Sequence, residues 1–259
     1  MGQLFTKDRI GENLSRLPEW QSEAFTWLAN RIADKENTYP CVPGRMGFLA
    51  GNMRFAFLGD PRSADTGESL AAHLQTYGQC AREAGPYTSL VVFFETTADL
   101  SAKHNIAQFE QLFWSILSDV HRLDVHPWPA DIAADPAHFA WEFCFAGEPY
   151  FVFCTTPRHV ARRSRYSPYF TMAFQPRWVF SDINASTPYG RKLREIIRKR
   201  LQAYDDAPIH PALGLYGQTE NHEWQQYFLR DDESTLTQCP FLHGASTLQS
   251  KAPQDLTNA

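Results

Sequence analysis

The chain has 259 residues, of which 43% are hydrophobic, 20% are charged and 14% are aromatic. These values are ordinary for a globular protein, and the net charge of −5 argues against non-specific binding to nucleic acid. No apolar run is long enough to span a bilayer, and the polar N-terminus does not resemble a secretory signal. The five cysteines lack paired spacing, so we expect reduced thiols in a cytoplasmic protein without membrane contact.

Helical spacing and short apolar runs alternate along the first half of the chain. We expect helices over residues 18–35, 69–83 and 106–120, and strands over residues 53–58 and 89–95. Two prolines between residues 39 and 45 break helical structure and predict a stiff loop around Cys41.

Aromatic residues between 141 and 153 predict a β-hairpin at the centre of a sheet. Its two strands flank Gly147-Glu148-Pro149, which is typical of a tight turn. Further along the chain we expect a strand over 169–174, a helix over 189–204, a loop over 210–217 and a short helix or strand over 223–229. The helix over 189–204 has one apolar face and one basic face, the latter typical of a solvated surface.

The order of these elements predicts an α/β fold. We expect a single domain over residues 1–243, built on a mixed β-sheet with a central hairpin and covered by helices. Residues 244–259 lack apolar content and are expected to form a disordered tail.

Basic residues are concentrated directly after the predicted hairpin. Arginine side chains match the geometry of carboxylates and phosphates, so the cluster could bind an anion, or it could be a solvated loop. Its members are Arg158, His159, Arg162, Arg163 and Arg165.

Cys41 is the most informative thiol because prolines bracket it and Gly44 and Arg45 follow. Backbone N–H groups and Arg45 would favour the thiolate, which could bind haem iron. A buried structural cysteine is the alternative reading. His159 competes as a candidate iron ligand, although a histidine in such a segment is more often a hydrogen-bonding partner or an anion contact.

Several short motifs, taken in order over residues 39–230, resemble the YqcI/YcgG family. They include Tyr39-Pro40-Cys41, Met53-Arg54-Phe55-Ala56-Phe57, Trp141-Glu142-Phe143, Thr156-Pro157-Arg158-His159, Gln175-Pro176-Arg177 and the segment from Asn221 to Tyr227. The family pattern differs at Val42-Pro43, which leaves the shape of that loop open.

The resemblance implies a haem b-dependent monooxygenase. Its reaction would N-hydroxylate a guanidino or amino group of an arginine-like small molecule, using O2 and an external electron donor, or peroxide in their place. The implied roles are Cys41 as iron ligand, with His159 as the competing ligand, and a clamp for the haem propionates formed by Arg162, Arg163, Arg165 and Arg177.

A guanidinium substrate would need a buried carboxylate, for which Glu142 and Glu223 are the candidates. Glu142 could instead form a structural ion pair with an arginine. Two rival functions remain open: a non-catalytic haem-binding sensor or carrier, and a cofactor-free module whose arginines bind an anionic ligand.

Overall fold

The computed structural model describes residues 2–181, 183, 186–214 and 221–241. This part of the chain contains seven α-helices and five strands. The helices are α1 (Lys7–Asn13), α2 (Glu19–Ala33), α3 (Val42–Leu49), α4 (Thr66–Ala84), α5 (Ala98–Lys103), α6 (Ile106–Arg122) and α7 (Pro188–Tyr204). The strands are β1 (Arg54–Leu58), β2 (Leu90–Phe94), β3 (Phe143–Phe145), β4 (Glu148–Thr155) and β5 (Thr171–Pro176).

The strands form one mixed sheet in the order β1-β2-β5-β4-β3. Strands β1 and β2 are parallel and are connected through α4, whereas every other neighbouring pair is antiparallel. This arrangement confirms the predicted α/β fold with a mixed sheet.

Side chains alternate between the two faces of the sheet, as the period of a strand requires. On the first face, Val92, Val152 and Phe174 pack into the core beneath α4 and α6. On the second face, Phe55 and Phe93 pack against the layer that contains α2 and α3. Both faces are therefore covered by helices.

The predicted hairpin exists, but it lies at one edge of the sheet rather than at its centre, because β3 has only β4 as a neighbour. The turn consists of Ala146 and Gly147, whose φ angles are 52° and 76°. Positive φ at both central residues is the twist that suits a two-residue hairpin. Pro149 lies in β4, opposite Cys144, so the prediction of a turn at Gly147-Glu148-Pro149 was displaced by one residue or more.

The segment that follows Cys41 is a helix rather than the expected loop. Cys41 is the N-cap of α3, and Pro43 lies in the first turn. A proline is tolerated there because the first N–H groups of a helix have no partner within the helix.

The other predicted helices and strands are confirmed to within a few residues, and 223–229 contains a 3₁₀-helix at Glu223–Gln226. Among the described residues, no helix combines the length and the apolar character needed to cross a bilayer. The predicted tail at 244–259 and part of the predicted loop at 210–217 lie outside the described residues.

Candidate active site

A pocket lies between the second face of the sheet and the layer of α2 and α3. Its empty space is about 860 Å³ when the open mouth is included. The strand residues of its floor come from β2, β4 and β5, where Phe153 faces Ala173 and Thr155 faces Thr171 across neighbouring strands. Other lining residues are mostly apolar or aromatic, including Trp27, Leu28, Ile32, Met53, Val91, Phe93 and Tyr166.

Cys41 lies in the wall of this pocket, at the N-terminus of α3. Its Sγ accepts a hydrogen bond of 3.4 Å from the backbone N–H of Gly44. A Cβ atom at position 44 would lie 3.1 Å from that sulfur, so the glycine leaves room for it. Burial raises the pKa of the Cys41 thiol, while the Gly44 N–H and the charge of Arg165 act in the opposite direction.

Arg45 does not act on the thiol as the sequence suggested. Its Nε donates to the carbonyl of Ile32 at 3.1 Å, and Arg45 is absent from the charges that influence Cys41. The cation that does so, Arg165, comes from a segment more than a hundred residues away. The electrostatic environment of the sulfur therefore depends on tertiary structure.

Arg31 of α2 is the charged side chain among the described pocket-lining residues. Its guanidinium lies over the ring of Trp27 at 4.9 Å and that of Tyr204 at 5.1 Å. It also donates to the carbonyl of Arg163. The side chain of Arg163 is exposed, and its guanidinium also lies over the ring of Tyr204, 5.4 Å from the ring centre. The pocket thus carries positive charge at one end.

Two of the four arginines predicted to bind the haem propionates instead donate hydrogen bonds to backbone carbonyls within the protein. Arg162 is 2% exposed and donates to the carbonyls of Pro208, Arg230 and Asp232. Arg165 is buried and donates to the carbonyls of Cys154, Gln226 and Tyr227, with its guanidinium 4.0 Å from the centre of the Phe153 ring. These contacts tie the 3₁₀-helix at Arg163–Arg165 to the C-terminal part of the chain.

His159 is buried, and both ring nitrogens have partners. Nε2 lies 2.7 Å from the carbonyl oxygen of Leu229, and Nδ1 lies 2.9 Å from Oγ1 of Thr156. Since a carbonyl can only accept, Nε2 carries the proton and Nδ1 accepts from the threonine hydroxyl. Burial lowers the pKa of His159 to about 4, so the ring is neutral. Of the two candidate iron ligands, Cys41 is the one that lines the pocket.

The remaining predicted residues meet in a second cluster, and none of them lines the Cys41 pocket. Arg177 Nε lies 3.3 Å from Oε1 of Glu142, an ion pair that matches the structural alternative considered for this glutamate. Glu223 is buried nearby, and desolvation, followed by the charge of Glu142, raises the pKa of its carboxyl to about 8. The structure therefore brings Glu142, Glu223 and Arg177 together, apart from Cys41.

Two pocket residues were not identified from the sequence. Arg31 occupies the last turn of an amphipathic helix, and its spacing of four from Trp27 was the available signal. Gln175 faces the pocket from β5, and within the described residues no hydrogen bond engages its amide. A lone glutamine in a strand carries no pattern that would mark it.

The fold and the pocket define an α/β protein with a largely apolar cavity, in whose described lining Arg31 is the charged residue. Comparison with known proteins identifies the family. The chain belongs to the YqcI/YcgG family, whose model matches residues 28–242.

Three relatives cover nearly the whole chain. Protein YcgG of Bacillus subtilis (strain 168) is 52% identical over 238 residues, which is 92% of this chain and 94% of the relative. Protein YqcI of the same organism is 48% identical over 97% of this chain and 99% of the relative. A protein of Streptomyces lavendulae, named as a candidate N(omega)-hydroxy-L-arginine synthase (DcsA), is 32% identical over 92% of this chain and 89% of the relative. No solved structure matches the chain.

Proposed function

We propose that this protein is a haem b-dependent monooxygenase that N-hydroxylates a guanidino or amino group of an arginine-like small molecule. The observation that carries the proposal is the presence of the Cys41 thiol and the Arg31 guanidinium in one aromatic pocket. The relative named for N-hydroxy-arginine synthesis supports the reaction class.

The pocket residues fit haem in their chemistry. A porphyrin needs apolar walls for its ring, a ligand for iron and cations for its carboxylates. The lining of Phe, Trp, Leu, Ile and Val meets the first need, and Cys41 meets the second. For the carboxylates, Arg31 and the exposed Arg163 now replace the wider clamp. Arg162 and Arg165 are buried outside the pocket lining, and each donates to three backbone carbonyls, whereas Arg31 lines the pocket and donates to one.

Haem, when bound, would supply the activation of O2 from which one oxygen atom enters an N–H bond. The other oxygen atom leaves as water, for which an external donor supplies two electrons and solvent supplies two protons. Cys41 must release its proton to bind iron, and the Gly44 N–H and Arg165 assist that release. The aromatic walls exclude water from the reacting groups.

Recognition of the substrate must use groups other than those expected. No Asp or Glu is among the described residues that line the pocket, so a guanidinium there would face neutral oxygens such as that of Gln175. Glu142 and Glu223 would need a separate role. The second candidate function is a non-catalytic haem sensor or carrier. Such a protein needs no guanidinium site, so the lack of a carboxylate among the described lining residues favours it.

One set of experiments separates these functions. The protein is expressed with a haem precursor, and the ferrous carbon monoxide spectrum is recorded for the wild type, Cys41→Ala and the control Cys80→Ala, whose thiol is not among the pocket-lining residues. We expect a thiolate-type spectrum that is lost only in Cys41→Ala. Arginine is then supplied with hydrogen peroxide, which provides the oxygen atom together with the two electrons, and products are identified by mass spectrometry.

Each outcome has a distinct meaning. Hydroxylated product supports the monooxygenase, whereas haem binding without product from a panel of guanidines and amines supports the sensor or carrier. Protein that stays colourless after haemin is added would refute both. A thiolate spectrum that survives in Cys41→Ala would refute the assignment of the ligand.

A further inference from the structure

Helix α7 concentrates positive charge on an acidic protein. It contains six Lys or Arg residues and one Glu, giving a local charge of +5 in a chain whose net charge is −5. The rest of the chain therefore carries −10. The cations are Arg191, Lys192, Arg194, Arg198, Lys199 and Arg200. Such an asymmetry creates a field that a partner of opposite charge would experience.

Most of this charge is not neutralised within the protein. No carboxylate among the described residues lies within ion-pair distance of Lys192, Arg194, Lys199 or Arg200. Arg194 and Arg198 are four residues apart, and their repulsion, after burial, lowers the pKa of Arg194. Like charges at this spacing destabilise a helix, so an acidic surface placed over α7 would relieve the repulsion.

An exposed apolar stripe runs along the same helix. Tyr189 is 50% exposed and Ile196 is 39% exposed, and Ala203 follows at the same interval of seven residues. Helical geometry places these three side chains in one row, with Lys192 and Lys199 on one side of it. The other apolar face of α7, which includes Leu193 and Tyr204, is already packed against the protein. An apolar centre with a charged rim is the composition of a protein interface.

The helix ends beside the candidate active site. Tyr204 packs edge-on against Tyr39, with ring centres 5.9 Å apart, and lies under the guanidinium of Arg31. Tyr39 and Arg31 both line the pocket of Cys41. A molecule seated on α7 would therefore be close to the end of the pocket at which we place the haem carboxylates.

We propose that helix α7 is the docking surface for a small acidic electron-carrier protein with a flavin or iron–sulfur centre. This inference rests on the proposed function, which requires an external electron donor. A bilayer fits less well, because the larger apolar face of α7 is buried and the exposed stripe has only two large side chains.

Binding is measured by calorimetry with two probes, a flavodoxin and a plant-type ferredoxin, at about 20 mM and about 300 mM salt. The test variant is Lys192→Glu/Lys199→Glu. The matched control is Arg16→Glu/Lys35→Glu, which makes the same change in charge at exposed positions outside α7. We expect at least one probe to bind at low salt, with affinity reduced about tenfold or more in the α7 variant and within about twofold of the wild type in the control.

Three results would overturn the docking proposal: no binding of either probe at low salt, equal loss in both variants, or α7-dependent binding of phosphatidylglycerol vesicles or duplex DNA that exceeds binding of both carriers. Peroxide-driven hydroxylation, which needs no carrier protein, separates this inference from the proposed function. If peroxide gives product while carrier binding does not depend on α7, the docking proposal is wrong and the proposed function stands. If a carrier binds through α7 but the protein takes up no haem, docking stands and the proposed monooxygenase does not.

Discussion

The free energy of unfolding of the wild type should fall as the pH rises, and replacing Glu223 with glutamine should prevent this fall. Burial, and then the charge of Glu142, raises the pKa of the Glu223 carboxyl to about 8, although Arg177 opposes this. The ordinary value is 4.5. Between these two values the folded protein keeps a proton that the unfolded chain has released, so the free energy of unfolding falls as the pH increases.

The size of the effect follows from the two pKa values. A difference of about 3.5 corresponds to an upper limit of about 4.8 kcal/mol above pH 8, at about 1.36 kcal/mol for each unit. Relaxation and water penetration reduce the penalty of a buried charge, so we expect about 2–4 kcal/mol. Glu223→Gln should therefore resemble the wild type at about pH 5 and be more stable than it at about pH 8.

Urea unfolding measured at intervals from about pH 5 to about pH 8 tests this expectation, provided that the denaturant slope is the same for both proteins. Other buried carboxyls are present in both, so the difference between the two curves isolates Glu223. Glu36→Gln, at an exposed position, is the control and should run parallel to the wild type. Parallel curves for the wild type and Glu223→Gln would show that the carboxyl is not buried as described.

Three further predictions concern the pocket and the segment behind it. Arg165→Met should lower the free energy of unfolding by about 2–4 kcal/mol in urea titration, since it removes a donor from three buried carbonyls, of which that of Tyr227 keeps the N–H of Cys154; a change below about 0.5 kcal/mol would contradict this. The pKa of His159, lowered to about 4, predicts that wild-type stability falls as the pH drops below about 6.5, and His159→Gln should flatten that loss while leaving the carbon monoxide spectrum unchanged. Gly44→Ala should displace the Cys41 sulfur and shift the haem absorption bands, with helix content by circular dichroism preserved, because the added methyl group would lie 3.1 Å from it; an unaltered spectrum would place the sulfur away from iron.

Strongly periodic segments were predicted well, and short ones were not. The spacing of Phe109, Phe113 and Ile116 identified a helix that the structure extends over Ile106–Arg122. Helix α3 was missed because eight residues with a proline and two glycines have little periodicity, and its N-cap uses a cysteine, which is not a common capping residue. The position of the hairpin in the sheet could not be predicted, since strand order depends on pairings between distant segments.

The arginine cluster shows the same limit at the level of function. Its composition drew attention to the segment after the hairpin, but sequence cannot distinguish an arginine that faces a ligand from one that binds backbone. The carbonyls that engage Arg162 lie 46 to 70 residues away. Arg31, which the sequence did not single out, lies in the pocket instead.

The amino-acid sequence alone determined most of the succession of helices and strands and membership of the YqcI/YcgG family, because periodicity and motif order are local properties of the chain. The tertiary structure decided which side chains share a cavity. It placed Arg31 in the same pocket as Cys41, turned Arg162 and Arg165 inward, and put Glu142 with Glu223 in a separate cluster. These outcomes depend on which distant backbone groups need hydrogen-bond donors and on which surfaces the sheet brings together. Neither can be predicted from the spacing of residues along the chain.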